Sequence, residues 1–294
     1  MIVKETQKLQ VNHLNLSPVR PGVKERLRAI PWWMVAILGI AIMVFILITT
    51  NSDFQDAFVF LKAGLVVTLS TTFFAFLIAL GLGLITGLGR ISDSVFFKNL
   101  ATFYVEVVRG IPMLVLIFFI ALVGVPAAVD GLNAIGTSLQ RFGLIALSNA
   151  FSNIKNSGVP MNIRAIIALS ITYGAFLAEI FRAGIQSIDH GQMEAARSQG
   201  MTKWQAMWFI ILPQAIRNVL PALGNDFISM LKDSSLVSIL AVRDITQIAR
   251  LYAGNTFQYQ ITYTTLAVMY LTMTIALSFL VKFLEKRYKV NEKR

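Results

Sequence analysis

Six stretches of this chain are too long and too apolar to rest in water. They run at about 32–50, 63–88, 99–124, 163–185, 217–241 and 261–284. A helix that crosses a bilayer needs roughly 20 mostly apolar residues, because each residue advances it by only about 1.5 Å. Lipid offers backbone groups no partner, so such a segment must satisfy its own N–H and C=O groups as a helix. The first stretch, WWMVAILGIAIMVFILITT, carries no charge. Trp32 and Trp33 stand at its start, where indoles favour the lipid interface. A cleavable signal peptide is the competing reading, but its apolar core usually has about 7–15 residues. The expected fold is an all-α integral membrane protein with six transmembrane helices.

The charges support a membrane topology. They make up 14% of the 294 residues, where a soluble domain carries about 25%. The net charge of +11 raises nucleic acid as a partner. The positions argue otherwise. One side collects Lys4, Lys8, Arg20, Lys24, Arg26 and Arg28, then Arg90 and Lys98, then Arg182, Arg197, Lys203 and Arg217, and the basic tail from Lys282. The other side holds Lys62, Arg141, Lys155, Arg164, Arg243 and Arg250. The side richer in Lys and Arg faces the cytoplasm, so both termini and residues 186–216 are expected there. The basic residues are thereby explained without nucleic acid, and some attraction to anionic membrane lipid fits them. Cysteine is absent, and the two histidines, His13 and His190, are far apart, which argues against a metal site. Residues 125–162 are only modestly apolar and read as an extracytoplasmic excursion with room for a surface helix.

The cytoplasmic loop is the most distinctive segment. Residues 194–213 read EAARSQGMTKWQAMWFIILP. Asp189 precedes Gln192 by three residues and Thr202 precedes Gln205 by three, two capping-box patterns that start helices. Gly200 lies between the halves, suited to a left-handed turn. Pro213 is expected to mark re-entry toward the membrane. Met201, Trp204, Met207, Trp208 and Ile211 form an apolar face at helical spacing. That face suits either lipid or a docking partner.

The pattern EAA, three residues, Gly, nine residues, Ile-x-Leu-Pro resembles the signature loop of binding-protein-dependent ABC importer permeases. Glu194, Ala195, Ala196, Gly200, Ile210, Leu212 and Pro213 fall in its register. YVEVVRGIPMLV at 104–115, FLAEIFRAGIQSIDHGQMEAA at 176–196, PQAIRNVLPALGNDF at 213–227 and LKDSSLVSI at 231–239 resemble the polar amino-acid branch. Ile111 and Ser234 depart from it, standing where Thr is frequent. The resemblance spans about 60–284 apart from the 125–162 insert. It implies a type I permease core of five helices preceded by one extra. The implied domains are an N-terminal extension at 1–30, the extra helix at 31–57, the permease domain at 58–284 and a basic cytoplasmic tail at 285–294. The coupling loop would occupy about 186–213. Glu194, Ala195, Ala196 and Gly200 would meet a cytosolic ATPase dimer, the small alanines allowing close approach. The implied partners also include a second permease subunit and an extracytoplasmic substrate-binding protein, at a bacterial cytoplasmic (inner) membrane. No Lys is followed by Ser or Thr, so a phosphate loop ending GK[ST] is excluded. ATP and Mg are therefore expected in the partner ATPase, and this chain is not expected to be an enzyme or to hold a cofactor.

Charges inside spans are costly and mark candidate functional positions. Glu106 and Arg109 stand three residues apart, as do Glu179 and Arg182. Each pair either neutralises itself near the interface or lines a path or gate. The fifth span holds Pro221, Gly224, Asn225, Asp226, Lys232, Asp233, Ser234 and Ser235. A kink or break at Pro221 is expected, with this segment lining a central cavity. The competing reading is an interfacial segment with the true span starting near Leu236. Gly83 and Gly87 form a G-xxx-G pattern that suits helix packing. A zwitterionic amino acid needs an acceptor for its ammonium, for which Asp226 and Glu179 are the candidates, and amide donors for its carboxylate. Two alternatives stay open: a permease for another small polar solute such as an opine or sulfur amino acid, and an ion-coupled secondary transporter.

Overall fold

The computed structural model describes residues 32–290, apart from 143 and 153. The expected N-terminal extension, His13, the end of the basic tail and the side chains of Trp32 and Trp33 lie outside the described residues. Among the described residues all regular structure is helical, as the apolar spans require. The chain divides into two compact units after Ile46. The first contains most of α1 (Trp32–Thr50), an unbroken helix that coincides with the first expected span.

Among the described residues the second unit holds five helical runs long and apolar enough to cross a membrane: Ser52–Arg90, Met113–Arg141, Met161–Gln186, Lys203–Leu240 and Tyr259–Arg287. The run Ser52–Arg90 is α2 (Ser52–Leu61), one tight turn, and α3 (Leu65–Arg90). Asn51 starts it by accepting the amides of Asp53 and Phe54, so the segment expected as a loop before residue 63 is helical.

The third expected span, 99–124, is divided. Helix α4 (Val95–Gly110) stops at Ile111, whose backbone is extended (φ −102°, ψ 136°). Pro112 enforces this, because its ring crowds the preceding residue out of the helical region. A new helix starts beyond it as α5 (Met113–Phe119), passes through a π turn at Ile120–Gly124, and continues as α6 (Val125–Arg141). The membrane-length run is therefore 113–141, and the first half of the expected 125–162 excursion continues it. Short α7 (Ile145–Ser152) folds back on α6, where a Cβ on Gly136 would lie 2.4 Å from Ser152 Oγ.

Helix α8 (Met161–Gln186) is the centre of this unit. Of its most apolar 18 residues 61% are buried, against 17% for α13 (Tyr259–Val290). Its most extensive neighbour is α3. Gly83 and Gly87 make that approach possible. A Cβ on Gly83 would stand 2.7 Å from Leu177 Cβ, and one on Gly87 would stand 3.0 Å from Phe181 Cβ. The G-xxx-G pattern thus packs helices. Buried hydroxyls bond carbonyls: Thr172 donates to Ala168 of its own helix at 2.8 Å, and the Ser170 hydroxyl lies 2.6 Å from the Ile166 carbonyl of its own helix and 3.1 Å from that of Ala75 on α3.

Beyond α8 come α9 (His190–Ser198), α10 (Lys203–Ala206), a π turn at Met207–Ile211, and α11 (Leu212–Asp233). Pro221 lies inside α11, and the helix runs through it. The break expected there falls instead at Ser234, where the backbone tightens to a 3-10 helix through Leu240 and ends at left-handed Ala241. Membrane helices tolerate proline where neighbouring groups take up the freed carbonyl. Helix α12 (Ile245–Thr256) then docks under α2 and α13, burying Ile245 and Ala249 against Leu61, Leu266 and Met269.

Candidate functional site

The loop between α8 and α11 is built by capping. Thr202 forms the full capping box with Gln205, side chain to amide in both directions. Asp189 caps α9 by accepting the Gly191 amide at the second helical position, so the box expected with Gln192 does not form. Helix α9 ends in a Schellman motif. The Gly200 amide donates to Arg197 at 3.0 Å and the Met201 amide to Ala196 at 3.2 Å, while Gly200 takes φ +85°. The spacing from Ala196 to Gly200 is the spacing this turn needs.

Exposure divides the loop residues into two groups. Glu194, Ala195 and Gly200 are exposed. Ala196 faces inward, so its small size serves internal packing and not the direct contact expected of it. Ile210 and Leu212 join Ile185, Ile211 and Ala215 in a buried cluster that anchors the loop to the membrane helices. They hold the surface in place and are not part of it. Exposed Pro213 follows the π turn, in which the Leu212 amide reaches back to Met207. That wider turn relieves the clash proline makes with the carbonyl four residues earlier. The expected apolar face also splits: Met207 and Ile211 pack inward, whereas Trp204 and Trp208 stay exposed with their rings edge to face at 5.6 Å. Lys203 pairs with Asp93 in the α3–α4 connection, and this hydrogen bond and charge hold the exposed Asp93 carboxyl below its usual range.

One carboxylate organises the nearby charges. Glu179 on α8 receives Arg90 from the end of α3, Arg109 from the end of α4 at 3.2 Å, and Arg182 from its own helix at 2.8 Å. Arg90 also lies 3.7 Å from Glu106. The expected Glu179–Arg182 pair exists. Glu106 and Arg109 instead reach different partners, and the Arg109 guanidinium lies 5.7 Å from the centre of the Phe176 ring. Arg90, a loop charge on sequence grounds, is the least exposed of the cluster at 13%. Three guanidinium groups leave Glu179 little capacity for a substrate ammonium.

A second polar site lies where α11 ends. The Tyr173 hydroxyl of α8 donates to Asp233 Oδ2 at 2.6 Å. Asp226, two turns earlier on α11, is half-buried, as is Ser235. Ser234 is buried and donates to the Leu231 carbonyl at 2.8 Å, while Asn225 and Lys232 are exposed. Tyr173 was not legible as a partner, because a tyrosine in an apolar span gives no sign of which helix it faces.

The sequence pattern of the binding-protein-dependent transport system inner membrane component matches residues 79–290. The chain belongs to this family of ABC importer permeases. Among its relatives, the permease is 38% identical over 247 residues to "Probable glutamine ABC transporter permease protein GlnM" of Bacillus subtilis (strain 168), covering 83% of this chain and 97% of that one. It is 31% identical over 210 residues to the glutamine transport system permease protein GlnP of Escherichia coli (strain K12), covering 71% and 84%. Among solved structures, a chain of an amino acid ABC transporter crystallised with histidines superposes with a TM-score of 0.62 at 38% identity, over 80% of the permease and 95% of that chain. The inward-facing methionine transporter MetNI gives a TM-score of 0.56 at 17% identity, covering 81% and 99%, a likeness of fold.

Proposed function

We propose that this permease is the membrane subunit of an ATP-driven importer that carries a polar amino acid of the glutamine kind across the bacterial cytoplasmic membrane. Both termini and the loop after α8 face the cytoplasm. The observation that carries this reading is the exposed Glu194–Ala195 and Gly200 surface, held rigid by its caps, in a chain whose relatives are named for glutamine and amino-acid transport. A cytosolic ATPase dimer binds ATP and Mg and docks on this surface. A second permease chain and an extracytoplasmic binding protein complete the importer.

Closure of the ATPases draws the two loops together and opens the outer side. ATP shifts the equilibrium only so far as it binds the two states unequally. The Glu179 cluster serves as the inner gate, because Glu106, Arg90, Arg109 and Glu179 tie α3, α4 and α8 together at the loop end. Asn225, Asp226, Lys232, Asp233, Ser234 and Ser235 border the substrate path. Asp233 lies at the C-terminal end of α11, whose dipole favours a cation, so the substrate ammonium belongs there and at Asp226. Vesicles holding the permease, its ATPase and the binding protein should take up glutamine only with internal ATP. Uptake by the permease alone, driven by a proton or Na⁺ gradient, would overturn the proposal in favour of a secondary transporter.

A further inference from the structure

Two concavities meet at the end of the unit that carries the loop. One is an apolar trough of about 650 Å³ between α3 and α4, lined by Ile85, Leu88, Phe97, Leu100 and Val107, with exposed Trp204 at its edge. The other is a polar basin of about 720 Å³, bordered by Arg90, Lys98, His190 and Lys203, with Asp93 and Asp189 also on its wall. Both are lined by Ser92. At four places the chain crosses from one to the other in a single step: Gly89 to Arg90, Phe97 to Lys98, Leu100 to Asn99, and Trp204 to Lys203. At three of the four the basin residue is a cation.

The charges of the basin are unevenly used. Arg90 is engaged by Glu179 and Glu106, and Lys203 by Asp93. Asp189 gives an oxygen to the Gly191 amide. Lys98 is exposed and makes no ion pair among the described residues. An occupant must match an apolar trough and a basin with a spare cation, beside two exposed indoles of the kind that favour the headgroup level. A small polar solute leaves the trough empty, and a zwitterionic lipid brings its own ammonium up to Lys98 along with its phosphate. An anionic phospholipid satisfies both parts, as basic pockets between membrane helices do.

We propose that this composite groove binds one anionic phospholipid, with its phosphate beside Lys98 and Lys203 and an acyl chain along Phe97, Leu100 and Ile85. The inference does not depend on the transport reading. The test uses Trp204 as the reporter. The full-length chain carrying Trp32→Phe, Trp33→Phe and Trp208→Phe keeps Trp204 as its sole tryptophan of four. It is placed in phosphatidylcholine vesicles containing increasing fractions of chain-brominated phosphatidylglycerol or chain-brominated phosphatidylcholine. Brominated phosphatidylglycerol is expected to quench Trp204 at least about three-fold more effectively per mole, because cations at the headgroup level attract it. Lys98→Gln should bring the two lipids close to equal, and Lys98→Arg should keep the preference. Lys98 is exposed, so neither change threatens folding. Equal quenching by both lipids in the unaltered groove would mean an ordinary lipid belt and overturn the site. Absence of quenching by either would mean that protein covers the trough, and would overturn it equally.

Discussion

The amide of Met201 donates to the carbonyl of Ala196 at 3.2 Å, closing a turn that only the left-handed backbone of Gly200 permits. A Cβ on Gly200 would meet nothing within 4 Å, so substitution there is a question of backbone strain and not of space. Gly200→Ala should cost the loop about 1–2 kcal/mol. Gly200→Asn should cost less, because asparagine enters this region more readily. Gly200→Pro cannot reach φ +85° and loses the bond to Arg197. All three should be recovered from membranes as monodisperse protein, since the loop anchors are untouched. Substrate-stimulated ATPase activity of the assembled importer should fall in the order Asn, Ala, Pro. Normal activity in the Pro variant would refute the coupling role.

The Glu179 cluster should respond unequally to its members. Glu179→Gln leaves three guanidinium groups facing one another, with Arg90 nearly buried. A loss of about 2–4 kcal/mol is expected, in the range for breaking a buried pair but reduced by partial exposure. Arg109 is 44% exposed, and Arg109→Ala should cost under about 1 kcal/mol. Thermal unfolding in detergent, followed by fluorescence, reads this order. If Arg109→Ala proves as damaging as Glu179→Gln, the hub is misassigned.

How far residues spoke in advance depended on whether their signal was local. The spans, the Thr202 box and the Gly200 turn were legible because hydrophobic length, capping and a left-handed glycine act within a few residues. The division at Ile111–Pro112 was equally local and could have been read from the proline. Asp244 precedes Gln247 by three residues, the same signal that starts α9 and α10, and it caps α12. Partner choice was not legible. Glu106 and Arg109 share a helix face, yet which of them meets Arg90 or Glu179 depends on how three helices cross. The burial of Ala196 and Leu212 likewise depends on packing that no spacing within the loop encodes.

By its place in the sequence Arg164 reads as a loop charge, but it is buried and bound entirely to carbonyls. Its Nε donates to Val159 at 3.0 Å, Nη1 to Ala121 at 3.1 Å and Nη2 to Asn156 at 2.7 Å. It fastens the segment before α8 to the π turn between α5 and α6. Lysine has one ammonium and cannot span three such acceptors in the geometry of a planar fork. Arg164→Lys should therefore destabilise nearly as much as Arg164→Ala, by about 2–3 kcal/mol for loss of charged hydrogen bonds. Proteolysis within 154–160 should quicken in both variants. Full protection in the Lys variant would show that charge alone holds the segment.

Asp244 gives the fold a pH dependence of definite sign. It is fully buried at the start of α12, and burial raises its carboxyl to about 6, opposed by the amide of Gln247, which reaches it at 2.9 Å. A raised acid pKa means that the folded chain holds the proton where the unfolded chain has released it. The associated stability is complete below about pH 4 and is lost as pH rises through about 6. A shift of this size corresponds to about 2–3 kcal/mol. Asparagine can still cap the helix and has no charge to desolvate. Asp244→Asn should thus unfold at a higher temperature than the parent at pH 7.5, with the advantage shrinking toward pH 4.5. Thermal midpoints of both chains across that range provide the check. A parent that gains stability relative to the variant between pH 5 and 7 would show that Asp244 is held as a charged group, paired more strongly than its capping bond accounts for.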